Sequence, residues 1–128
     1  MIRAKFKLNI PKMTRNMDHV VVMIQQKVAL QLLTGIVNMT PVLTGRARGN
    51  WQVTIGQPTT TDLPETYDKV GQETIQKGSS TIQSLTTLGA IYLTNNLPYI
   101  QALEDGSSTQ APSGMVTVTL DRVSSQFR

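Results

Sequence analysis

Hydrophobic positions change their spacing several times along the chain, and each change marks an expected element. Over residues 3–10, Ala4, Phe6, Leu8 and Ile10 alternate with Arg3, Lys5, Lys7 and Asn9, the two-residue period of a half-buried strand that Pro11 closes. From residue 14 or 16 to residue 39 the period lengthens. Met17, Val20, Val21, Ile24, Val28, Leu32, Ile36 and Met39 fall on one helical face, widened by Ala29, Leu33 and Val37. Thr14 or Asn16 suits the N-cap, Asp18 suits the positive end of the dipole, and Pro41 closes the helix. At about 25 residues such a helix is roughly 38 Å long, about the width of a domain of this size. Its broad apolar face therefore calls for cover from a neighbouring subunit.

The polar residues 44–50 form a turn with room for one helical turn, and the alternation of residues 51–55 predicts a second strand. Residues 56–68 open on a Thr- and Pro-rich run with almost no apolar content and read as a mobile loop. Ile75, Gly78, Ile82 and Leu85 at helical spacing predict a helix over 72–88, followed by a short strand over 90–94. Residues 95–98 turn the chain into a short helix over 98–105 that Gly106 ends. Near the C-terminus Val116, Val118 and Leu120 alternate like a strand, whereas Val116, Leu120, Val123 and Phe127 make a helical stripe. Pro112 fits a helix start and favours the helix. The expected fold class is α+β: a long N-terminal helix, a small antiparallel or mixed sheet and a C-terminal helix.

Length and charge narrow the picture further. The 128 residues make a single domain, 1–128, with enough apolar content for a modest core. There is no cysteine and a single histidine, His19, which removes a disulfide framework, a thiolate nucleophile and the usual zinc ligand sets. The net charge of +4 conceals a split: residues 1–50 hold eight of the twelve Lys and Arg against Asp18 alone, net +7, and the remainder is net −3. A basic end of that kind suits nucleic acid or an acidic protein partner. The basic N-terminal residues lead into no uninterrupted apolar region, so no targeting segment is expected. The longest apolar run, residues 20–24, falls short of a membrane span, and the default expectation is a cytoplasmic product with no membrane partner.

Catalytic constellations are sparse. His19 lacks metal-site spacing and reads as a surface or interface residue. Glu104 and Asp105 read as the polar end of a short helix, and Asp62, Glu65, Asp68 and Glu73 as solvated loop acids without calcium-loop spacing. The Gly-Arg-Ala-Arg-Gly run at 45–49 lacks the phosphate-loop pattern and follows a helix instead of a strand. Arg46 and Arg48 with Trp51 offer a nucleic-acid patch, weighed against a buried Trp51 rimmed by solvated arginines. No enzyme, cofactor or metal is expected.

Two blocks are specific. The first runs from Thr40 and Pro41 through Val42, Thr44, Gly45, Arg46 and Arg48 to Trp51. The second runs from Asn95 through Pro98, Tyr99, Leu103, Glu104, Gly106, Ser108, Gln110, Ala111 and Pro112 to Gly114, Met115 and Val116. Together they resemble the corresponding segments of the tail-completion and neck proteins, the head-tail joining proteins of long-tailed double-stranded DNA bacteriophages. The resemblance implies a non-enzymatic virion protein, assembled in the host cytoplasm, that forms a homo-oligomeric ring, with a hexamer expected. The ring would complete the tail, with tail-terminator or tail-tube proteins on one side and portal, adaptor or head-closure proteins on the other, near genomic DNA in the lumen. A tail-terminator or head-closure ring is the alternative, and a small basic nucleic-acid-binding module the alternative of another class. Pro41 and Gly45 are expected to shape the turn after the long helix, Trp51 to anchor a strand, and Tyr99 and Leu103 to pack the short helix. Glu104 is expected to cap a backbone or meet a base such as Arg48, and Gln110, Ala111 and Pro112 to start the last helix.

Overall fold

A computed structural model describes residues 2–6, 15–106 and 114–126. In chain order the elements are β1 (Ile2–Phe6), α1 (Arg15–Met39), α2 (Arg46–Gly49), β2 (Gln52–Ile55), α3 (Gln72–Gln83), β3 (Ile91–Asn95), α4 (Ile100–Glu104) and α5 (Met115–Ser125). The fold is α+β, with the long N-terminal helix and the C-terminal helix in place. Residues 7–10 of the expected first strand lie outside the described residues.

The sheet is antiparallel throughout, in the order β1-β3-β2, so the third strand to appear in the chain is the central one. Register follows the alternation of the sequence. Val53 stands opposite Leu93 and Ile55 opposite Ile91, forming the apolar rows, while Gln52 opposite Thr94 and Thr54 opposite Tyr92 form the polar rows. Ile91 and Leu93 join Ala29, Leu32, Leu33, Ile36 and Val37 of α1, Ile82 of α3, Leu97, Ile100, and Met115, Val116 and Val123 of α5 in one buried cluster. Gly78 lies where α3 crosses Leu33 of α1 and Val53 of β2. A Cβ there would stand 2.7 Å from the Val53 methyl and overlap Leu33.

Three elements differ from the sequence expectation. The buried face of α1 is rotated: Val21, Val22, Gln25 and Ala29 point inward in its first half, while Val20, Met23 and Ile24 are exposed. Gln25 is half satisfied in its buried place: its side-chain amide donates to the Gly89 carbonyl, while its Oε1 has no hydrogen-bond partner. Helix α3 stops at Gln83, five residues early. The Gln26 amide donates to the Ile82 and Leu85 carbonyls at 3.2 and 3.0 Å, and the Ser84 hydroxyl to the Thr81 carbonyl, satisfying acceptors that a longer helix would have used. In α5 the buried residues are Met115, Val116, Thr119 and Val123, and Leu120 is exposed. Thr119 is buried without penalty because its hydroxyl donates to the Met115 carbonyl at 2.7 Å.

Asp18–Met39 is, by length and composition alone, apolar enough to cross a membrane, a longer stretch than the five-residue run in the sequence indicated. Half of its most apolar window is buried within this fold.

Candidate functional site

The motif residues gather at the C-terminal end of α1. A helix end presents carbonyl oxygens without intrahelical partners and carries a partial negative charge. Arg48, projected from α2, answers both. Its Nε donates to the Thr40 carbonyl at 2.9 Å, Nη2 to Asn38 at 2.9 Å and Nη1 to Lys69 at 3.0 Å, with Val70 at 3.4 Å. One guanidinium fork thus ties the end of α1 to the start of the α3 segment. Trp51 is buried and its indole N–H donates to the Thr40 hydroxyl at 2.9 Å, which donates in turn to the Ile36 carbonyl at 2.7 Å. Gly45 permits the turn between them. It has φ of 89°, its carbonyl accepts from the amides of Gly49 and Asp68 at 2.9 Å each, and a Cβ would stand 2.6 Å from the Lys69 nitrogen. Pro41, just past the helix end, is half-buried.

The second block builds the seat of α5 and reaches back to the first. Asn95 donates from Nδ2 to the Ala47 carbonyl at 3.0 Å and accepts the Leu97 amide on Oδ1 at 3.2 Å. Leu103 is half-buried against the core as expected, but Tyr99, expected to pack the short helix, is exposed like Pro98, because Leu97 and Ile100 fill the buried positions. The Glu104 carboxylate accepts the Val116 amide at 2.8 Å, the Thr117 amide at 3.3 Å and the Thr117 hydroxyl at 2.8 Å. Of the two roles expected for Glu104 it performs the first, capping α5 from outside. Gly114, the residue before α5, has no side chain with which to do so. Gly106 ends the α4 segment with φ of 92°. The buried Met115 places its sulfur 3.5 Å from the Thr40 hydroxyl. The two blocks therefore touch at Thr40–Met115 and at Ala47–Asn95. Gln110 and Pro112 lie outside the described residues.

The nucleic-acid patch read from Arg46, Arg48 and Trp51 does not form: Trp51 is in the core and Arg48 is engaged by carbonyls. The alternative reading holds for Trp51, which is buried, and the arginines at its rim are engaged as well as solvated: Arg46 makes the one ion pair among the described residues, a partly exposed one to Asp62 at 3.2 Å. Asp62 therefore does more than solvate its loop. Residues 56–68, expected to be mobile, form a loop tethered along its length. Asn50 accepts the Leu63 amide at 2.7 Å, Gln52 donates to Thr61 at 2.8 Å, and Asn96 donates to the Thr59 and Thr61 carbonyls at 3.1 and 3.0 Å.

Asp68 is buried, contrary to the solvated acid expected. Its carboxylate accepts the Gly71 amide at 2.9 Å, the Thr74 amide at 2.8 Å and the Thr74 hydroxyl at 2.7 Å, so it caps α3. Burial by itself raises its pKa. The hydrogen bonds from Thr74 and Gly71 and the charge of Arg48 outweigh that and hold it below the ordinary 3.8. Asn95 opens the second block without an assigned role, and Asn50 and Asp68 carry structural duties that no motif marks. Their only signal in the sequence is that Asn and Asp favour caps and turns.

Open space borders the junction on one side and lies away from it in two further places. A cleft of about 160 Å³ between β2, the tethered loop and α3 is lined by Trp51, Asp68, Glu73 and Lys77 among others. A groove of about 490 Å³ runs between Leu30, Gln31, Thr34 and Asn38 of α1 and Arg122 and Val123 of α5. A third, of about 450 Å³, lies beside Asp18, the exposed His19, Thr86 and Leu88. Among the described residues no group of three or more His, Cys, Asp or Glu is placed to hold a metal ion. No protein-family model, curated protein or solved structure matches the chain.

Proposed function

We propose that this chain is a non-enzymatic structural protein of a phage neck, a ring subunit that completes the tail and joins it to the head connector. One observation carries the reading. The two blocks that resemble the family meet at one junction, where Asn95 donates to the Ala47 carbonyl and the Met115 sulfur lies against the Thr40 hydroxyl, and their remaining polar groups are spent on hydrogen bonds within each block and to the end of α1. Side chains used this way fix a shape and leave chemistry aside, as a ring subunit requires. A 25-residue helix that keeps Val20, Met23 and Ile24 exposed supports the same reading, because a solvated apolar band of this kind marks an assembly surface. The small basic nucleic-acid module has lost its stacking residue to the core.

On this proposal the ring has a tail-terminator or tail-tube protein on one side and a portal, adaptor or head-closure protein on the other. Mass spectrometry of purified virions is expected to find the chain, and its complete absence would overturn the reading. Imaging of a deletion mutant separates the layers. Filled heads with unattached tails of normal length are expected for tail completion, overlong tails for a terminator, and leaking heads for a closure ring.

A further inference from the structure

The tethered loop after β2 crosses the polar row of the sheet as a strap, and side chains beneath it grip successive strap residues. Gln52 and Asn96 both donate to the Thr61 carbonyl, at 2.8 and 3.0 Å, and Asn96 also donates to the Thr59 carbonyl at 3.1 Å. Arg46 pairs with Asp62 at 3.2 Å, and Asn50 accepts the Leu63 amide at 2.7 Å. None of residues 57–63 is itself buried. The strap is therefore held by polar contacts to its backbone and one carboxylate, with little apolar burial to fix it. In the cradle beneath, Asn50, Thr94 and Asn95 are fully buried. This cradle offers more than the strap takes. Arg46 Nε, Asn96 Oδ1 and the Thr94 hydroxyl are buried and have no hydrogen-bond partner among the described residues. Arg46 and Asn96 already hold the strap, and Thr94 stands in register with Gln52, which holds it too. Buried polar atoms are nearly always satisfied in a folded protein, so each one left over penalises the closed strap.

We propose that the strap is an internal stand-in, displaced when an extended acidic segment of another protein enters the cradle. The chemistry of that segment follows from what the cradle reads. Backbone carbonyls are common to every extended chain, so Gln52 and Asn96 select for extension and leave the side chains open. Selectivity rests on Arg46, which calls for a carboxylate one residue past the carbonyl that Gln52 and Asn96 share. The row across the sheet at this point, Arg3, Thr94 and Gln52, holds no acid to repel it. A segment that also engages the guanidinium Nε, the amide oxygen and the hydroxyl binds more tightly than the strap does, and so displaces it. The cradle recognises such a segment whatever assembly the chain joins, so the contact stands apart from the neck reading.

The probe is a fluorescein-labelled peptide of the strap itself, residues 57–66, titrated against the full chain and read by anisotropy. The wild-type chain is expected to bind it weakly, because its own strap competes for the cradle. Asp62→Ala releases one end of the strap and leaves the cradle unchanged. That variant is expected to bind the peptide about tenfold more tightly, and adding Arg46→Ala is expected to remove the gain. An Asp62→Asn peptide is expected to bind the Asp62→Ala chain about tenfold more weakly, and a peptide with its three central Thr replaced by Ala within about threefold of the original. Emission from the buried Trp51 at the wild-type wavelength certifies that each variant is folded. Hydrogen exchange of the wild-type chain gives a second reading: the Leu63 amide, held by Asn50, is expected to exchange through a local opening, well before the amides of β3. No gain for Asp62→Ala, binding that survives Arg46→Ala or the Asp62→Asn peptide, or a Leu63 amide that exchanges only with global unfolding overturns the displacement. Tighter binding of a single-stranded oligonucleotide than of the peptide overturns the assignment to an acidic protein segment.

Discussion

Arg48 commits its guanidinium to backbone carbonyls from two distant segments, and that makes it a strut. Arg48→Ala leaves the end of α1 without its clamp and is expected to cost about 2–3 kcal/mol in urea unfolding; Arg48→Lys recovers a minor part, because an ammonium cannot span the fork. Asp68 gives a pH-dependent counterpart. Its pKa is lower folded than unfolded, so its contribution is complete above the ordinary value of 3.8 and is lost as pH falls through the lowered one. Asp68→Asn is expected to lower stability at neutral pH by about 1–2 kcal/mol and to flatten the fall of stability below about pH 4, read from urea midpoints across pH. Trp51 was legible as a core residue, since a lone aromatic opening an alternating run has few other places to go. The duty of Arg48 was not, because its partners at 69 and 70 are set by the path of a loop that no local pattern encodes.

At the scale of elements, α5 depends on a cap from another segment and on close approach to α1. A Cβ on Gly35 would stand 2.6 Å from a Thr119 methyl and overlap the Arg122 guanidinium. Glu104→Ala is expected to cost about 1–2 kcal/mol and to speed amide hydrogen exchange in residues 115–125 before the rest of the fold, with Glu104→Gln recovering part of the loss. Gly78→Ala improves helix propensity by up to about 1 kcal/mol, but it forces Leu33 and Val53 apart. A net loss of about 1–2 kcal/mol in thermal unfolding is expected. Periodicity located α1, α3 and the first two strands because 3.6 and 2 are robust spacings, while α4 and α5 were located by the Pro and Gly residues that bound them. It misplaced the inner face of α1 because Val20 to Ile24 are apolar nearly all round, leaving the choice of face to Gln25 and its partner Gly89. The early stop of α3 escaped for a similar reason: the residue that ends it, Gln26, belongs to another helix.

For the whole molecule, the split between a +7 half and a −3 half changes meaning once the fold is known. Part of the excess is engaged within the fold, with the half-buried Arg48 on backbone carbonyls and Arg46 paired to Asp62. Arg46→Ala is accordingly expected to leave the slope of log affinity against log salt for duplex DNA unchanged, without the fall of about 0.9 that the loss of one phosphate contact brings, measured by fluorescence anisotropy. The fold class was readable from the order of periods, whereas the sheet order was not, since β3 between β1 and β2 is a pairing of residues some 90 and 40 positions apart. The junction also gives the protein a built-in reporter. Trp51 is its sole tryptophan and sits, dry and hydrogen-bonded to Thr40, where α1, α2 and the approach to α5 converge. Tryptophan emission, excited at a wavelength that the three tyrosines do not absorb, therefore registers one place alone. A shift to longer wavelength under load, denaturant or assembly reads the opening of that crossing and is silent on the rest of the chain.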